Sequence, residues 1–316
     1  MPRKAAAMAD GLLRLLRSDL RDALVAGAER DPACLRSGAA WLGYWAMAAA
    51  IAGLGLYLLA GYQAGFARLN SAAAIWPDWL WAGLTLLGDE RVAFALTLFF
   101  ARRHPRVLWT LVCAALVATA YSRGLKPLLD APRPPALLPA DGFHLIGEAH
   151  RRQSFPSGHT VTASVFFGVL TYYARRAHWR LLFVLLAVLA GLSRVAVGVH
   201  WPVDVAGGMA GGVLSAWAGT WLARMSPWGI YDGSVHLALV TIAAIMAIAI
   251  WQDDGGYPEA APALRLIAAA ALGYGALVYL VLPLRRAAAQ LTGASRAGAE
   301  RPRAAARRRR PRRPRR

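Results

Sequence analysis

The chain has 316 residues, of which 57% are hydrophobic and twelve are tryptophan, with a formal charge of +19 at pH 7. So apolar a composition excludes an ordinary soluble domain. Windows of about 20 mainly apolar residues, the length that crosses a bilayer core, recur along it, so the sequence reads as an all-α, polytopic membrane protein.

The first apolar run begins only near Trp41. Ahead of it, "LLRLLRSDLRDALVAGAERDPACLR" is basic and amphipathic, which predicts a helix on the cytoplasmic surface rather than a signal peptide. Eight apolar helices are then expected, at about 41–61, 78–101, 107–125, 158–175, 180–199, 202–223, 235–251 and 264–284. Cys34 precedes the first and Cys113 lies inside the third, so neither a disulfide framework nor a thiolate metal site is available.

The second helix carries "GDER", with Asp89 near its middle. An intramembrane charge faces the bundle interior by default. Pairing with Arg91 or a neighbouring helix is one account of it; a place at the border of an active site is the other.

Residues 301–316, "RPRAAARRRRPRRPRR", hold ten arginines and no acid, so with that tail set aside residues 1–300 carry +9. Such a run is expected to be disordered and solvated or to meet anionic lipid headgroups; a specific nucleic-acid element is not expected. The remaining Arg and Lys concentrate in the N-terminal segment, at 102–106, at 174–180 and from 285 onward, whereas the links near 62–77 and 252–263 have almost none. The positive-inside rule therefore puts both termini in the cytoplasm. The 126–157 loop departs from this pattern, with Lys126, Arg133, Arg151 and Arg152 on the translocated side.

With eight alternating spans, four polar clusters fall on one face. "KPLLDAPRP" (126–134) leaves helix 3, "PSGH" (156–159) opens helix 4, Ser193-Arg194 lies near the end of helix 5, and "HWPVD" (200–204) opens helix 6. Each has a bland account alone: Lys126 snorkels, His159 anchors at the headgroups, Arg194 pairs with Asp204. Together they would bring three cations, two histidines and a carboxylate to a single membrane level, which is costly unless something binds there.

Lys126, Arg133 and Arg194 offer cationic donors, and guanidinium groups match tetrahedral oxyanions at two points. Ser157 and Gly158 stand at a helix N-terminus, where free N–H groups and the helix dipole favour an anion. His200 and Asp204, four apart, share a helix face, so the carboxylate can fix the imidazole tautomer and stabilise the charge formed when the other nitrogen attacks phosphorus. His159, on another helix, is then free to act as general acid. A metal site is the competing account, but three cations nearby and too few carboxylates argue against it, and no metal or other cofactor is expected.

These residues resemble the signature of the type 2 phosphatidic acid phosphatase superfamily: Lys126 with Arg133-Pro134, then Pro156-Ser157-Gly158-His159, then Ser193-Arg194 with His200 and Asp204, in order and spacing without a gap. The resemblance implies a six-helix core over 41–223; it is silent about the cytoplasmic segment at 1–40, the two additional transmembrane helices (224–284) and the Arg-rich tail (285–316), which are read from composition and charge alone. It also implies metal-independent hydrolysis of a membrane lipid phosphate through a phosphohistidine on His200. Asp204 would orient that residue, His159 would be the acid, and Lys126, Arg133, Ser157, Gly158 and Arg194 would hold the phosphate.

Ser193, Arg151, Arg152 and Asp89 are accessory candidates, the two loop arginines for a second phosphate. The substrates implied are of the undecaprenyl diphosphate, phosphatidylglycerophosphate, phosphatidic acid or lipid A type, and the location is the bacterial inner membrane with the site on its periplasmic side. Transfer of the phosphoryl group to a lipid hydroxyl is the nearest alternative, and transport of phosphate or an anionic lipid is a remoter one. Helices 7 and 8 are open to structural packing, self-association into a homo-oligomer or substrate selection.

Overall fold

The computed structural model describes residues 2–292; the 301–316 arginine run, expected to meet anionic lipid, lies outside the described residues. Those residues are helical, with no strand among them. An N-terminal helix α1 (Pro2–Arg30) leads into α2 (Arg36–Ala60), the short α3 (Phe66–Ala73), α4 (Asp78–Thr85) and α5 (Glu90–Thr97). Next come α6 (Pro105–Leu129), a single turn α7 (Pro134–Leu137), α8 (Gly158–Tyr173), α9 (Ala177–Ala196) and α10 (Pro202–Met225). A further turn α11 (Trp228–Tyr231) precedes α12 (Gly233–Gln252) and α13 (Ala261–Ala276). Beyond α13 the chain passes through a π-helical stretch at Leu277–Val281 and stays helical to residue 292.

Five stretches are long and apolar enough to cross a membrane by length and composition: Arg36–Ala60, Pro105–Leu137, Ala177–Ala196, Gly233–Gln252 and Pro258–Thr292. Their outward faces carry large apolar side chains such as Leu58, Leu59, Leu116 and Leu266, as a lipid-facing surface requires. The protein is an all-helical, polytopic membrane protein.

The expected second helix is not continuous. The chain leaves α4 through a 3₁₀ turn at Leu86–Gly88, becomes extended at Asp89 (φ −75°, ψ 126°) and restarts as α5. α8 approaches closely at this point: a Cβ on Gly88 would lie 2.5 Å from the carbonyl oxygen of His159. The break lets α8 enter beside it, and Asp89 caps the new helix by accepting from the Arg91 N–H at 2.7 Å.

α10 is the central post and packs against α2, α6 and α8. Its glycines make that possible: a Cβ on Gly219 would fall 2.5–2.7 Å from Cβ, Cα and N of Ala114 on α6, and one on Gly212 would meet Val161 and Ser164 on α8 at 2.7 Å. Small residues let the backbones close to contact, the usual device where lipid offers no hydrophobic drive between helices. The main core follows this post, with Leu42 and Trp45 from α2, Ala114 from α6, Phe166 and Phe167 from α8, and Val213 and Ala216 from α10. A second cluster joins α5, α12 and α13 around Val92, Ala95, Leu98, Ala247, Leu264 and Ala268.

The two ends of the bundle differ. At one, the basic connections gather on α1: Arg102 and Arg286 both reach Asp19, His104 Nδ1 lies 2.9 Å from Asp31, and Arg175 donates to the Arg30 carbonyl. At the other, Tyr62, Asn70, Thr85 and the 130–157, 194–204 and 253–257 segments interlock. The charge asymmetry read along the sequence is thus a separation between two ends of one structure.

Candidate active site

The 197–201 turn holds the site together. Arg194 is in the last turn of α9, and its carbonyl accepts from the N–H groups of Val199 and His200 at 3.2 Å, folding the chain back so that His200 is only 2% exposed. Gly198, at φ +82°, supplies the left-handed step this turn needs. Asp204 is the third residue of α10, and its Oδ2 accepts from the Trp201 N–H at 2.8 Å, half of a capping arrangement that fixes both helix start and carboxylate.

His200 Nδ1 stands 3.2 Å from Asp204 Oδ2. Nδ1 therefore carries the proton and Nε2 keeps its lone pair. Burial pushes the His200 pKa well below the usual histidine range, and Arg133, Arg194 and Lys126 push it further, so the ring is neutral at pH 7.

Two further partners of Asp204 were not legible by spacing. Ser154 Oγ donates to Oδ2 and lies 3.5 Å from His200 Nδ1, and the Tyr62 hydroxyl donates to Oδ1. Burial and the adjacent carboxylate raise the Tyr62 pKa, which keeps that hydroxyl protonated as a donor. Tyr62 lies just beyond α2 and 142 residues from Asp204 in sequence, so only the fold joins them. Ser154 is two residues before the Pro156-Ser157-Gly158-His159 run, and its hydroxyl was the one local signal available.

The cations surround this pair. Arg133, 9% exposed, is held by carbonyls: Nε donates to Arg152 O at 2.8 Å, while Nη1 and Nη2 approach Val199 O and Gln153 O at 3.5 Å. Lys126 lies inside the last turn of α6, which runs on to Leu129, rather than beyond the helix end. Its Nζ would be 3.7 Å from a Cβ on Gly158, so the bare side of Gly158 faces an ammonium group and leaves room between them. Ser157 is fully buried at the start of α8; its N–H donates to the Asp204 carbonyl at 3.2 Å and its Oγ accepts from Thr160.

Arg194 Nη1 donates to Thr85 Oγ1 at 2.8 Å and to the Tyr257 hydroxyl at 2.9 Å, while its Nε is buried without a partner among the described residues. Ser193 Oγ lies 3.0 Å from the same Thr85 hydroxyl and 2.7 Å from the Ala190 carbonyl, so it supports Arg194 from behind.

The accessory candidates fare differently. Asp89 pairs with Arg91, whose Nη2 is 2.8 Å away and which also reaches Asp253 at 2.9 Å, and it lines the same cavity as Lys126 and His159. Arg152 is exposed and paired with Asp130, and Arg151 is exposed, its carbonyl accepting from the Arg133 N–H at 3.0 Å. Their backbones hold Arg133 while their own guanidinium groups stay at the surface.

A cavity of about 640 Å³ opens from Lys126, Gly158 and His159 and runs between α5, α6 and α8 to Leu239 and Ile242 of α12. A second, of about 670 Å³, lies between α2, α6 and α10 and touches Tyr62. Among the described residues no group of three or more His, Cys, Asp or Glu side chains is placed to hold a metal ion. The arrangement is a buried imidazole with a carboxylate at its Nδ1 among Lys126, Arg133 and Arg194, and of these cations Lys126, with Gly158 and His159, lines the apolar cavity.

Fold and site define a polytopic helical membrane protein with a buried histidine–carboxylate pair inside a ring of cations, and residues 106–228 match the PAP2 superfamily. It is 32% identical over 139 residues to a lipid A 1-phosphatase of Rhizobium johnstonii, covering 42% of this chain and 52% of that one. It is 31% identical over 137 residues to an undecaprenyl-diphosphatase of Sulfolobus acidocaldarius, covering 42% and 63%. The chain thus spans about half to just under two thirds of the length of these curated relatives. The crystal structure of Aquifex aeolicus LpxE is 30% identical and aligns over 48% of this chain and 89% of that chain, with a TM-score of 0.42.

Proposed function

We propose that this protein is a metal-independent lipid phosphate phosphatase that works through a phosphohistidine on His200. The observation that carries the reading is the buried His200–Asp204 contact of 3.2 Å, set among Lys126, Arg133 and Arg194, with Lys126, Gly158 and His159 lining an apolar cavity beside it. Nδ1–H donates to Asp204, so the Nε2 lone pair attacks phosphorus as the ester P–O bond breaks. The three cations and the N-terminal amides of α8 neutralise the equatorial oxygens, and protonated His159 gives its proton to the departing alkoxide. Neutral His159 then takes a proton from water, whose oxygen displaces Nε2 from phosphorus and releases the phosphate.

The core that performs this is 41–223. The apolar cavity takes the lipid chains, and the basic end faces the cytoplasm, which sets the site on the periplasmic side of a bacterial inner membrane. The curated relatives, a lipid A 1-phosphatase and an undecaprenyl-diphosphatase, favour a lipid A or polyprenyl diphosphate type of substrate. Phosphate release by the purified protein from phosphatidic acid, phosphatidylglycerophosphate, undecaprenyl diphosphate and lipid A tests the reading. Release from at least one, undiminished by chelator, is expected. No release from any of them by folded protein overturns it, and a phosphorylated lipid product without free phosphate would make the protein a transferase instead.

A further inference from the structure

The helices beyond the six-helix core reach into the site. Tyr257 lies in the segment linking α12 to α13, is 6% exposed, and packs in one cluster with Val197 and Val199 of the turn that carries His200. Its hydroxyl accepts from Arg194 Nη1 at 2.9 Å, and its ring centroid is 5.9 Å from the guanidinium carbon. Thr85, from the broken second helix, accepts from the same nitrogen at 2.8 Å.

The segment is itself anchored. Asp253 binds Arg91 at 2.9 Å and accepts from the Gly255 N–H at 2.8 Å, while Asp254 accepts from the Gly256 N–H at 3.0 Å. Gly255 and Gly256, at φ +68° and +85°, make the reversal that turns Tyr257 inward. Gly147 completes the fit, since a Cβ there would meet the Gly256 carbonyl at 2.8 Å and the Tyr257 ring at 3.1 Å.

We propose that Tyr257 is a positioning residue that, with Thr85, fixes the Arg194 guanidinium so that its Nε edge is presented to the substrate phosphate, a role that rests on the functional reading given above. A guanidinium offers two in-plane edges for two-point binding of an oxyanion. With Nη1 held by two protein hydroxyls, the edge bearing the buried, unpartnered Nε is the one left for a ligand. Freed from Tyr257, the side chain keeps its charge and loses its orientation, which a two-point contact needs and a diffuse attraction does not. The α12–α13 pair is then part of the phosphate site rather than a separate packing unit.

The test uses the full-length protein in detergent, with orthovanadate as a phosphate mimic and a lipid phosphate as substrate. Tyr257→Phe keeps the ring and removes the hydroxyl. Vanadate inhibition and kcat/KM should weaken on the order of tenfold, the worth of a hydrogen bond to a charged group, with the thermal midpoint nearly unchanged. Tyr274→Phe, on the α13 face toward Phe99, should behave as wild type. A Tyr257→Phe protein whose thermal midpoint falls while vanadate affinity stays at the wild-type value would overturn the inference, because a purely structural contact behaves that way. So would unchanged values throughout. If the wild-type protein itself neither binds vanadate nor releases phosphate, the functional reading fails and this inference with it.

Discussion

The carboxylate of Asp204 accepts four hydrogen bonds, and only one of them comes from the histidine it orients. His200 Nδ1, the Trp201 N–H and Ser154 Oγ converge on Oδ2, while the Tyr62 hydroxyl takes Oδ1. A fully buried carboxylate is tolerable only with its lone pairs satisfied, and here that satisfaction also locks the tautomer of His200.

The two histidines should separate kinetically. His200→Ala should abolish turnover and any acid-labile phosphoenzyme, since no other side chain is placed to replace Nε2. His159→Ala should slow hydrolysis of a natural lipid ester by roughly 10²–10⁴-fold and that of an aryl phosphate, whose leaving group departs unprotonated, much less. Rapid-quench trapping with radiolabelled substrate and peptide mapping checks this; label on the peptide bearing His159 would reverse the assignment.

Tyr62 and Ser154 should matter although neither belongs to the signature. Tyr62→Phe and Ser154→Ala each leave a buried carboxylate oxygen short of a donor, which typically costs about 1–3 kcal/mol. The expected result is a kcat lowered about tenfold or more with KM little altered, because Lys126, Arg133 and Arg194, the cations proposed to hold the phosphate, are untouched. Steady-state kinetics on correctly folded variants decides, and a change confined to KM would contradict the positioning role.

Close helix contact predicts a stability effect remote from the chemistry. Gly219→Val places side-chain atoms where Ala114 already sits, so α10 and α6 must separate. Overpacking of this kind costs about 1–3 kcal/mol or more. A lowered thermal midpoint in detergent is expected, whereas Gly273→Ala on α13, with open space around its Cβ position, should leave the midpoint near wild type.

Stability should fall on mild acidification. The folded His200 pKa lies below its unfolded value of about 6.5, so below that pH the unfolded chain binds the extra proton and the folded one does not. The contribution is complete above about pH 6.5 and is lost as the pH drops toward the folded value, at up to about 1.4 kcal/mol per pH unit. Thermal midpoints between pH 8 and 5 measure it, and His200→Gln, which cannot titrate, should show a shallower decline.

Membrane orientation is open to direct labelling. Ala140→Cys, in the loop between α7 and α8 at the site end, should react with an impermeant thiol reagent in intact cells, given that Cys34 is exposed at the opposite end and serves as the internal control. Labelling of Ala140→Cys only after lysis would invert the topology.

Much of this protein was determined by the sequence alone, because the strongest signals in it are local or periodic. Apolar length marks a bilayer-crossing helix whatever packs beside it, and seven of the eight expected segments each correspond to one helical stretch in the structure, the second being broken at Asp89. His200 and Asp204 are one helical turn apart, so their contact follows from backbone geometry. The clustering of basic loops at one end likewise follows from counting alternate connections.

What the tertiary structure decided is where distant chain segments meet. No periodicity marks the break at Asp89, where α8 approaches Gly88, and only the fold adds Asp253 to the Arg91–Asp89 pair and brings Asp89 to the lining of the cavity that holds Lys126 and His159. Tyr62, Thr85 and Tyr257 are single hydroxyls on three separate segments, indistinguishable in sequence from any other tyrosine or threonine near a membrane surface. They acquire meaning only when 142, 109 and 63 residues of chain are closed into contact with Asp204 and Arg194. Such contacts are set by helix packing, in which each glycine of α10 meets a neighbouring segment, and that information is spread over the whole bundle rather than written at any one position.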